Sequence, residues 1–498
     1  MGVRSRFRQL LEDAPRDADA IEFEDSWVSW GFLQSVARSL DDALIQLGLG
    51  DNARIGVVLE NRPQHVAVLL ELMASRRCIV TISPLQPASR LAADIERSHV
   101  PAMVISHELL ALPGVREAIE KAGVVLELNS EGGLTVHGGG ARSMSVNSPG
   151  VSIEMLTSGT TGPPKRVELS DRQFNRALET SVPAPKPGVL FRKGVSLVYT
   201  PLVHIGGLWG AISALYAGRK IVLMQRFFLD QWVHAVEKHR PRAAGLVPGA
   251  IRSILDADVP VEKLSSLQVV TSGTTFCPPE IADEFFAKYG VRVLMTYGAT
   301  EFAGAIAAWT LPMYEEWWST KAGSAGRAMP GVQLRITGDD GVVIPAGESG
   351  RLEIRSAQSP AGAEKWVRTS DLARVDGDGF VFIDGRADDV IVRGGFKVQP
   401  AQVASALERH PSVREASVAP LPDRRLGHVP VAGVEVHPGS PRPNSSELTA
   451  LCREVLMPYE VPVHVVVLDE LPRTPSSKVS RVELLELVEE SMLQGQPA

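Results

Sequence analysis

"TSGTTGPPK" at Thr157–Lys165 follows an apolar run, Ile153–Leu156, interrupted by Glu154 alone. Its four hydroxyl side chains, two glycines and closing lysine describe a loop whose amides and hydroxyls can wrap phosphate oxygens. It is not a Walker A loop, because Pro163 and Pro164 separate Gly162 from Lys165 and Arg166 follows. A buried strand opening into a phosphate loop points to an α/β fold. The same five letters return in "TSGTTFCPP", Thr271–Pro279, this time without a lysine.

The flanking sequence carries the same alternation. Strands are predicted at Arg54–Asn61, Cys78–Pro84 and Ala102–Ser106, with helices at Pro63–Ser75 and Ser89–Ser98 between them. This is βαβ traffic, which requires a parallel sheet covered by helices. The Gly/Ser-rich stretch Asn129–Gly150 reads as a loop, and its "HGGGAR" makes no dinucleotide fingerprint. Further strands are predicted at Val195–Tyr199, Lys220–Met224, Ala244–Val247, Leu267–Thr271 and Arg292–Thr296, giving a second α/β layer. Beyond Thr310 short alternating segments punctuated by Gly and Asp read as hairpins of a small antiparallel sheet or barrel. After Asp388 the pattern becomes α+β, with helices at Pro400–Arg409 and Ser446–Leu456 and strands at Val413–Ala419, Val429–Val436 and Val463–Leu468.

A chain of 498 residues exceeds what one core organises, so two domains are expected, 1–387 and 388–498. The net charge of −7 offers no basic excess for nucleic acid. Cys78, Cys277 and Cys452 are too scattered for a disulfide framework or a cysteine-built zinc site, which suits a cytoplasmic protein. The uncharged stretch Val195–Gly218 is long enough to span a bilayer, but Pro201, Gly206, Gly207 and Gly210 interrupt it. A buried strand, a turn and a buried helix account for it better, and no integral membrane segment is expected. "DGDGF" at Asp376–Phe380 lacks the oxygen ligands of a calcium loop and reads as a tight hairpin turn. Neither a metalloprotease helix nor a serine-hydrolase elbow is present.

Seven further segments follow the first loop in a fixed order: "TPLVHIGG" (Thr200–Gly207), "TSGTTFCPPE" (Thr271–Glu280), "YGATE" (Tyr297–Glu301), "GSAGRAMPGVQLRI" (Gly323–Ile336), "TSDLARVDGDGFVFIDGRADDVIVRGG" (Thr369–Gly395), "HPSVREASVAPLPDRRLG" (His410–Gly427) and "LPRTPSSKVSR" (Leu471–Arg481). Together with TSGTTGPPK they resemble the adenylate-forming superfamily of acyl-CoA synthetases, luciferases and peptide-synthetase adenylation domains, over nearly the whole chain.

The resemblance implies a large N-terminal domain of two α/β layers plus a small β-barrel, and a mobile C-terminal α+β domain. It implies an ATP-dependent carboxylate–CoA ligase that forms an acyl-adenylate and then a thioester. An acyl-AMP ligase serving a carrier-protein pantetheine, and a non-catalytic nucleotide or acyl binder on the same fold, stand as alternatives. By resemblance Thr157, Ser158, Gly159, Thr160, Thr161, Gly162 and Lys165 wrap the phosphates. Gly273, Thr274, Tyr297, Gly298 and Thr300 border the adenine, while Asp371 holds the ribose and Arg386 adds a second ribose or phosphate contact. Glu301 with Thr161 would ligate Mg²⁺, and Lys478 would bridge the carboxylate and α-phosphate. His204, Gly298, Ala299, Ala303 and Gly304 would line the acid pocket, roomy enough for a fatty, aromatic or alicyclic acid. His204 is counted with Lys478 and Glu301 among the catalytic residues, either gating the pocket or packing in the core. Asp388 would be the hinge, with Gly394 and Gly395 passing the CoA pantetheine arm. The expected partners are the acid, ATP and CoA, with a homodimer as the expected assembly if there is one. Three departures stand out: Ser477 where the family usually has Gly, Asp171 where it often has His, and Arg166 where it often has Gly. Positions 166 and 171 lie outside the reacting atoms by that analogy, so little chemical effect is expected from them.

Overall fold

The computed structural model describes residues 1–138, 147–157, 165–186, 188–387, 389–394, 396–473 and 478–494. These residues fall into two compact units. One holds everything described up to Gln333 together with Arg355–Val367; the other holds Leu334–Ile354 and everything described from Arg368 onward.

The largest element of the first unit is a seven-stranded sheet. Its spatial order is Leu134–His137, Val124–Leu128, Ala102–Ser106, Arg54–Val58, Cys78–Ile82, Val151–Thr157 and Lys165–Ser170. The inner strands run parallel and the two outermost pair antiparallel. Cys78–Ile82 and Ala102–Ser106 are buried along their whole length, as strands covered on both faces must be. The helix Pro63–Ala74 opens with proline at its first position and packs on the helices Val3–Asp13 and Trp30–Gln46. Nearly all its side chains are buried, each large apolar one contributing roughly 1.5–3 kcal/mol. The expected loop Asn129–Gly150 contains a strand, Leu134–His137, whose alternation is too short to register in the sequence.

The strands expected to form a single second layer divide between two sheets. Val195–Val198 and Lys220–Leu223 lie parallel and are joined by the hairpin Asp19–Phe23 and Ser26–Ser29. Ala243–Gly245, Val269–Ser272 and Arg292–Ala299 run parallel in a five-stranded sheet completed by the antiparallel Gly304–Ala308 and Arg327–Ala328. The uncharged stretch at 195–218 is a short strand followed by the helix Ile205–Tyr216, with Gly207 pressed between the carbonyls of Thr200 and Pro201. Among the described residues no helix is long and apolar enough to cross a membrane.

The second unit pairs two sheets. Val332–Thr337, Gly350–Ser356, Val367–Val375 and Val381–Arg386 form a four-stranded sheet in sequence order. The hairpin Ile391–Arg393 and Phe396–Val398, the long strands Val413–Asp423 and Gly427–Val436, and Val465–Leu468 form the other. The helices Pro400–Leu407 and Ser445–Val455 close over its apolar face, burying Val403, Leu407, Leu448 and Cys452. The helix Arg481–Gln494 adds Leu484 and Val488 to a second cluster with Val431 and Leu471.

Candidate active site

Thr157 and Lys165 are direct partners on adjacent antiparallel strands, so the two ends of the hydroxyl loop are neighbours. They lie at the carboxyl end of the parallel strand Cys78–Ile82, the edge where open α/β sheets bind ligands. Ser158, Gly159, Thr160, Thr161 and Gly162, together with the Lys165 side chain, lie outside the described residues.

The strand leaving the loop ends in a capping box. Ser170 Oγ accepts from the Gln173 amide at 3.4 Å, and Gln173 Oε1 accepts from the Ser170 amide at 2.9 Å. Gln173 is buried, and its Nε2 donates to the Glu301 carbonyl at 2.7 Å. Glu301 sits in the short turn Thr300–Phe302 after the strand carrying Tyr297, Gly298 and Ala299. The helix that follows the returning strand therefore also steadies the turn that carries Glu301.

Tyr297, Gly298 and Ala299 face Ala307, Ala305 and Gly304 across an antiparallel pair, and the buried Ala303 makes the connection at φ +56°. A Cβ on Gly298 would strike the Gly304 carbonyl oxygen at 2.4 Å, and one on Gly304 would meet the Ala177 Cβ at 3.1 Å. A Cβ on Gly273 would fall 2.5 Å from Thr296 Oγ1. The close approach of neighbouring strands thus requires glycine at 298 and 273, and the helix Asp171–Ser181 crowds Gly304, so their smallness does not by itself measure room for substrate. Gly206 differs: among the described residues a Cβ there would meet a single atom within 4 Å, Thr274 Cγ2 at 3.4 Å. Thr274 itself takes a left-handed backbone at φ +72°. His204 is the residue before the helix Ile205–Tyr216, two positions from Gly206, so it and Thr274 border one region.

In the second unit Asp371 and Arg386 are direct partners on adjacent strands. The Asp371 amide donates to Thr369 Oγ1 at 3.1 Å, and Ala387 N donates to the Ser370 carbonyl at 2.8 Å, fixing both ends of the pair. Lys478 follows a segment whose ends are closed by the bridge between Arg473 and Val479 and by Ser480 N donating to the Pro472 carbonyl at 2.7 Å. Arg473 is in turn held by Glu415 at 2.6 Å and by the buried Glu435 at 3.3 Å. More than a third of Lys478 remains open to solvent, yet desolvation at its amine, then the positive charge of Arg386, push its pKa below the ordinary lysine value. Two cations that share a field in this way favour an anion between them. Gly394 turns the hairpin at φ +56° and donates to the Leu426 carbonyl at 2.8 Å; Gly395 and Asp388 lie outside the described residues.

The AMP-binding enzyme family matches residues 7–362, and its C-terminal domain matches residues 402–478. The chain belongs to the AMP-binding enzyme family. Within it, an indoleacetate–CoA ligase of Aromatoleum aromaticum is 34% identical over 67% of this chain and 66% of that protein. A sulfoacetate–CoA ligase of Cupriavidus necator is 29% identical over 92% of both. The solved o-succinylbenzoate CoA synthetase of Bacillus subtilis, in complex with its acyl-adenylate intermediate, superposes with a TM-score of 0.78 at 25% identity, covering 96% of this chain and 97% of that one.

Two of this family member's departures have partners. Asp171 accepts from Ser152 Oγ and pairs with Arg4, which ties the N-terminal helix to the helix Asp171–Ser181. Arg166 pairs with Asp94 at 3.0 Å and donates to the Thr81 carbonyl at 2.9 Å. The sequence reading did not include the Gln173 bond to the Glu301 carbonyl or the Arg166–Asp94 pair. The Ser-x-x-Gln spacing at Ser170–Gln173 announces the capping box, but nothing local announces either of these contacts.

Proposed function

We propose that this member of the family joins a medium-sized aromatic carboxylic acid to CoA at the expense of ATP. It is an AMP-forming acid–thiol ligase working in two steps. The acid's carboxylate oxygen attacks the α-phosphorus of ATP and the bond to pyrophosphate breaks, leaving an acyl-adenylate. The CoA sulfur then attacks the acyl carbon, AMP departs, and a thioester remains.

The observation that supports this reading most is the Asp371–Arg386 pair with Lys478 in the field of Arg386. A carboxylate can accept from ribose hydroxyls, while a guanidinium and an ammonium offset charge that grows at the α-phosphate. Lys478 draws together two anions that otherwise repel, which is a proximity effect as well as an electrostatic one. Glu301, whose turn is steadied by Gln173, is a hard oxygen donor suited to Mg²⁺. No group of three or more His, Cys, Asp or Glu among the described residues could hold a metal, so the ion would arrive with the nucleotide phosphates. When bound it would offset charge on the phosphates. Thr161 is its second proposed contact.

An aromatic acid is favoured by the indoleacetate and o-succinylbenzoate that two of the relatives are named for and by the open position at Gly206. Rotation about Asp388 and passage of pantetheine over Gly394 and Gly395 complete the proposal, in a cytoplasmic setting that matches three buried free thiols.

Pyrophosphate release with a panel of aromatic, aliphatic and sulfonated acids tests the adenylation step. Following AMP and thioester with and without CoA tests the acceptor. Release with aliphatic acids alone would remove the aromatic assignment, and AMP without thioester would remove CoA as acceptor.

A further inference from the structure

Arg166 follows Lys165 on the strand that returns from the hydroxyl loop, and it sits opposite Leu156. Its guanidinium is largely buried, with a side-chain exposure of 18%, and Asp94 is more so at 5%. One nitrogen pairs with Asp94 Oδ1 at 3.0 Å and another donates to the Thr81 carbonyl at 2.9 Å. Asp94 belongs to the helix Ala88–Ser98, and its other oxygen accepts from Gln86 at 3.3 Å. Thr81 lies near the carboxyl end of the parallel strand Cys78–Ile82 and donates through Oγ1 to the Glu154 carbonyl at 3.2 Å. Glu154 in turn holds Arg54 in a two-point ion pair at 2.8 and 2.7 Å. Charges of alternating sign therefore run from Arg54 through Glu154 and Arg166 to Asp94, beneath the neighbouring ends of the loop.

Burying four charges costs free energy that apolar packing would not, and a glycine at position 166 would avoid one of them. A buried ion pair is best retained where it fixes one arrangement against others. What it fixes here is the start of the strand Lys165–Ser170, whose first residue faces Thr157.

We propose that Arg166, held by Asp94 and the Thr81 carbonyl, is a positioning residue for nucleotide binding. It clamps the start of the strand Lys165–Ser170 to the adjoining parallel strand and helix, and so sets where the chain re-enters the sheet beside Thr157. This rests on the reading of Thr157–Lys165 as the phosphate loop. Arg166 touches no reacting atom in the proposal; its effect passes through the backbone of Lys165.

The test is equilibrium binding of ATP alone, by calorimetry, together with steady-state pyrophosphate release. Arg166→Gly and Asp94→Asn should each weaken ATP binding and raise KM for ATP by about tenfold, roughly one charge-assisted hydrogen bond, with a smaller change in kcat. The double variant should be no worse than the poorer single one, since both break the same clamp. Arg166→Lys, which keeps the charge in a less disruptive form, should fall between wild type and Arg166→Gly, and it carries the test if the glycine variant does not fold. Loss of binding in Arg166→Gly with none in Asp94→Asn would overturn the clamp in favour of a direct phosphate contact. Thr160→Val and Lys165→Ala probe the loop itself. If these leave ATP binding unchanged, the loop reading fails; if they weaken it while Arg166→Lys and Asp94→Asn do not, the clamp alone fails.

Discussion

Gln173 Nε2 donates to the Glu301 main-chain carbonyl at 2.7 Å, across 128 residues of sequence. The bond joins a helix cap that follows the hydroxyl loop to the turn carrying the proposed magnesium ligand. Because Gln173 is buried and its Oε1 also serves the Ser170 amide, removing the amide leaves more than one polar group unsatisfied.

Gln173→Leu should therefore cost about 1–3 kcal/mol of stability, the usual penalty for buried groups left without partners. It should also lower the pyrophosphate-release rate by at least about tenfold through misplacement of Glu301. Denaturant unfolding and initial-rate assays read the two effects separately. A stability loss with an unchanged rate would show that the turn keeps its position without the bond.

Lys478→Ala should abolish adenylate formation, whereas thioester formation from supplied acyl-AMP should largely survive. Equal loss of both half-reactions would contradict the division of labour. The wild-type adenylation rate should decline at alkaline pH through a group titrating below an ordinary lysine, because only the protonated amine bridges two anions. Arg386 is one cause of that lowering, so Arg386→Met should move the alkaline limb to higher pH even as it weakens nucleotide binding. A pH–rate profile of each protein checks the direction.

Gly206 and Gly207 are neighbours with opposite tolerances. A Cβ on Gly207 would lie 2.3 Å from the carbonyl oxygens of Pro201 and Thr200, while among the described residues one on Gly206 meets a single methyl, at 3.4 Å. Gly207→Ala should yield little folded protein. Gly206→Leu should fold and discriminate against bulky acids, lowering kcat/KM for a bicyclic acid by at least about tenfold while sparing a small one. Equal losses for both acids would place Gly206 away from the acid pocket.

Glu71, on the helix Pro63–Ala74, is pushed up to about pKa 7, first by burial and then by the Asp41 carboxylate. From about pH 4.5 to about pH 7 the folded chain holds a proton there that the unfolded chain releases, so this group makes stability fall as pH rises through that window. Glu71→Gln removes the penalty, and the variant should gain up to ~3 kcal/mol over wild type at pH 8 but little at pH 4. Arg77 keeps Asp41 as a partner at 2.6 Å in that variant. Unfolding free energies across the pH range decide it, and a parallel offset at every pH would rule out the linkage.

The local sequence carries the strands and helices around the hydroxyl loop, the strand–turn–helix at Val195–Tyr216 and the α+β character of the C-terminal region. Each is written in periodicity, caps and turn residues within a few positions of one another. The order of eight motifs carries the family and most of the proposed site. What only the tertiary structure decides are relationships between distant residues: Ile21 beside Ile221, Arg166 against Asp94, Gln173 on Glu301, and glycines whose missing side chains make way for a neighbouring strand. Periodicity reports which face of an element is buried and is silent on what covers it. A buried charge or a close backbone approach acquires its meaning only when the chain has brought its partner there.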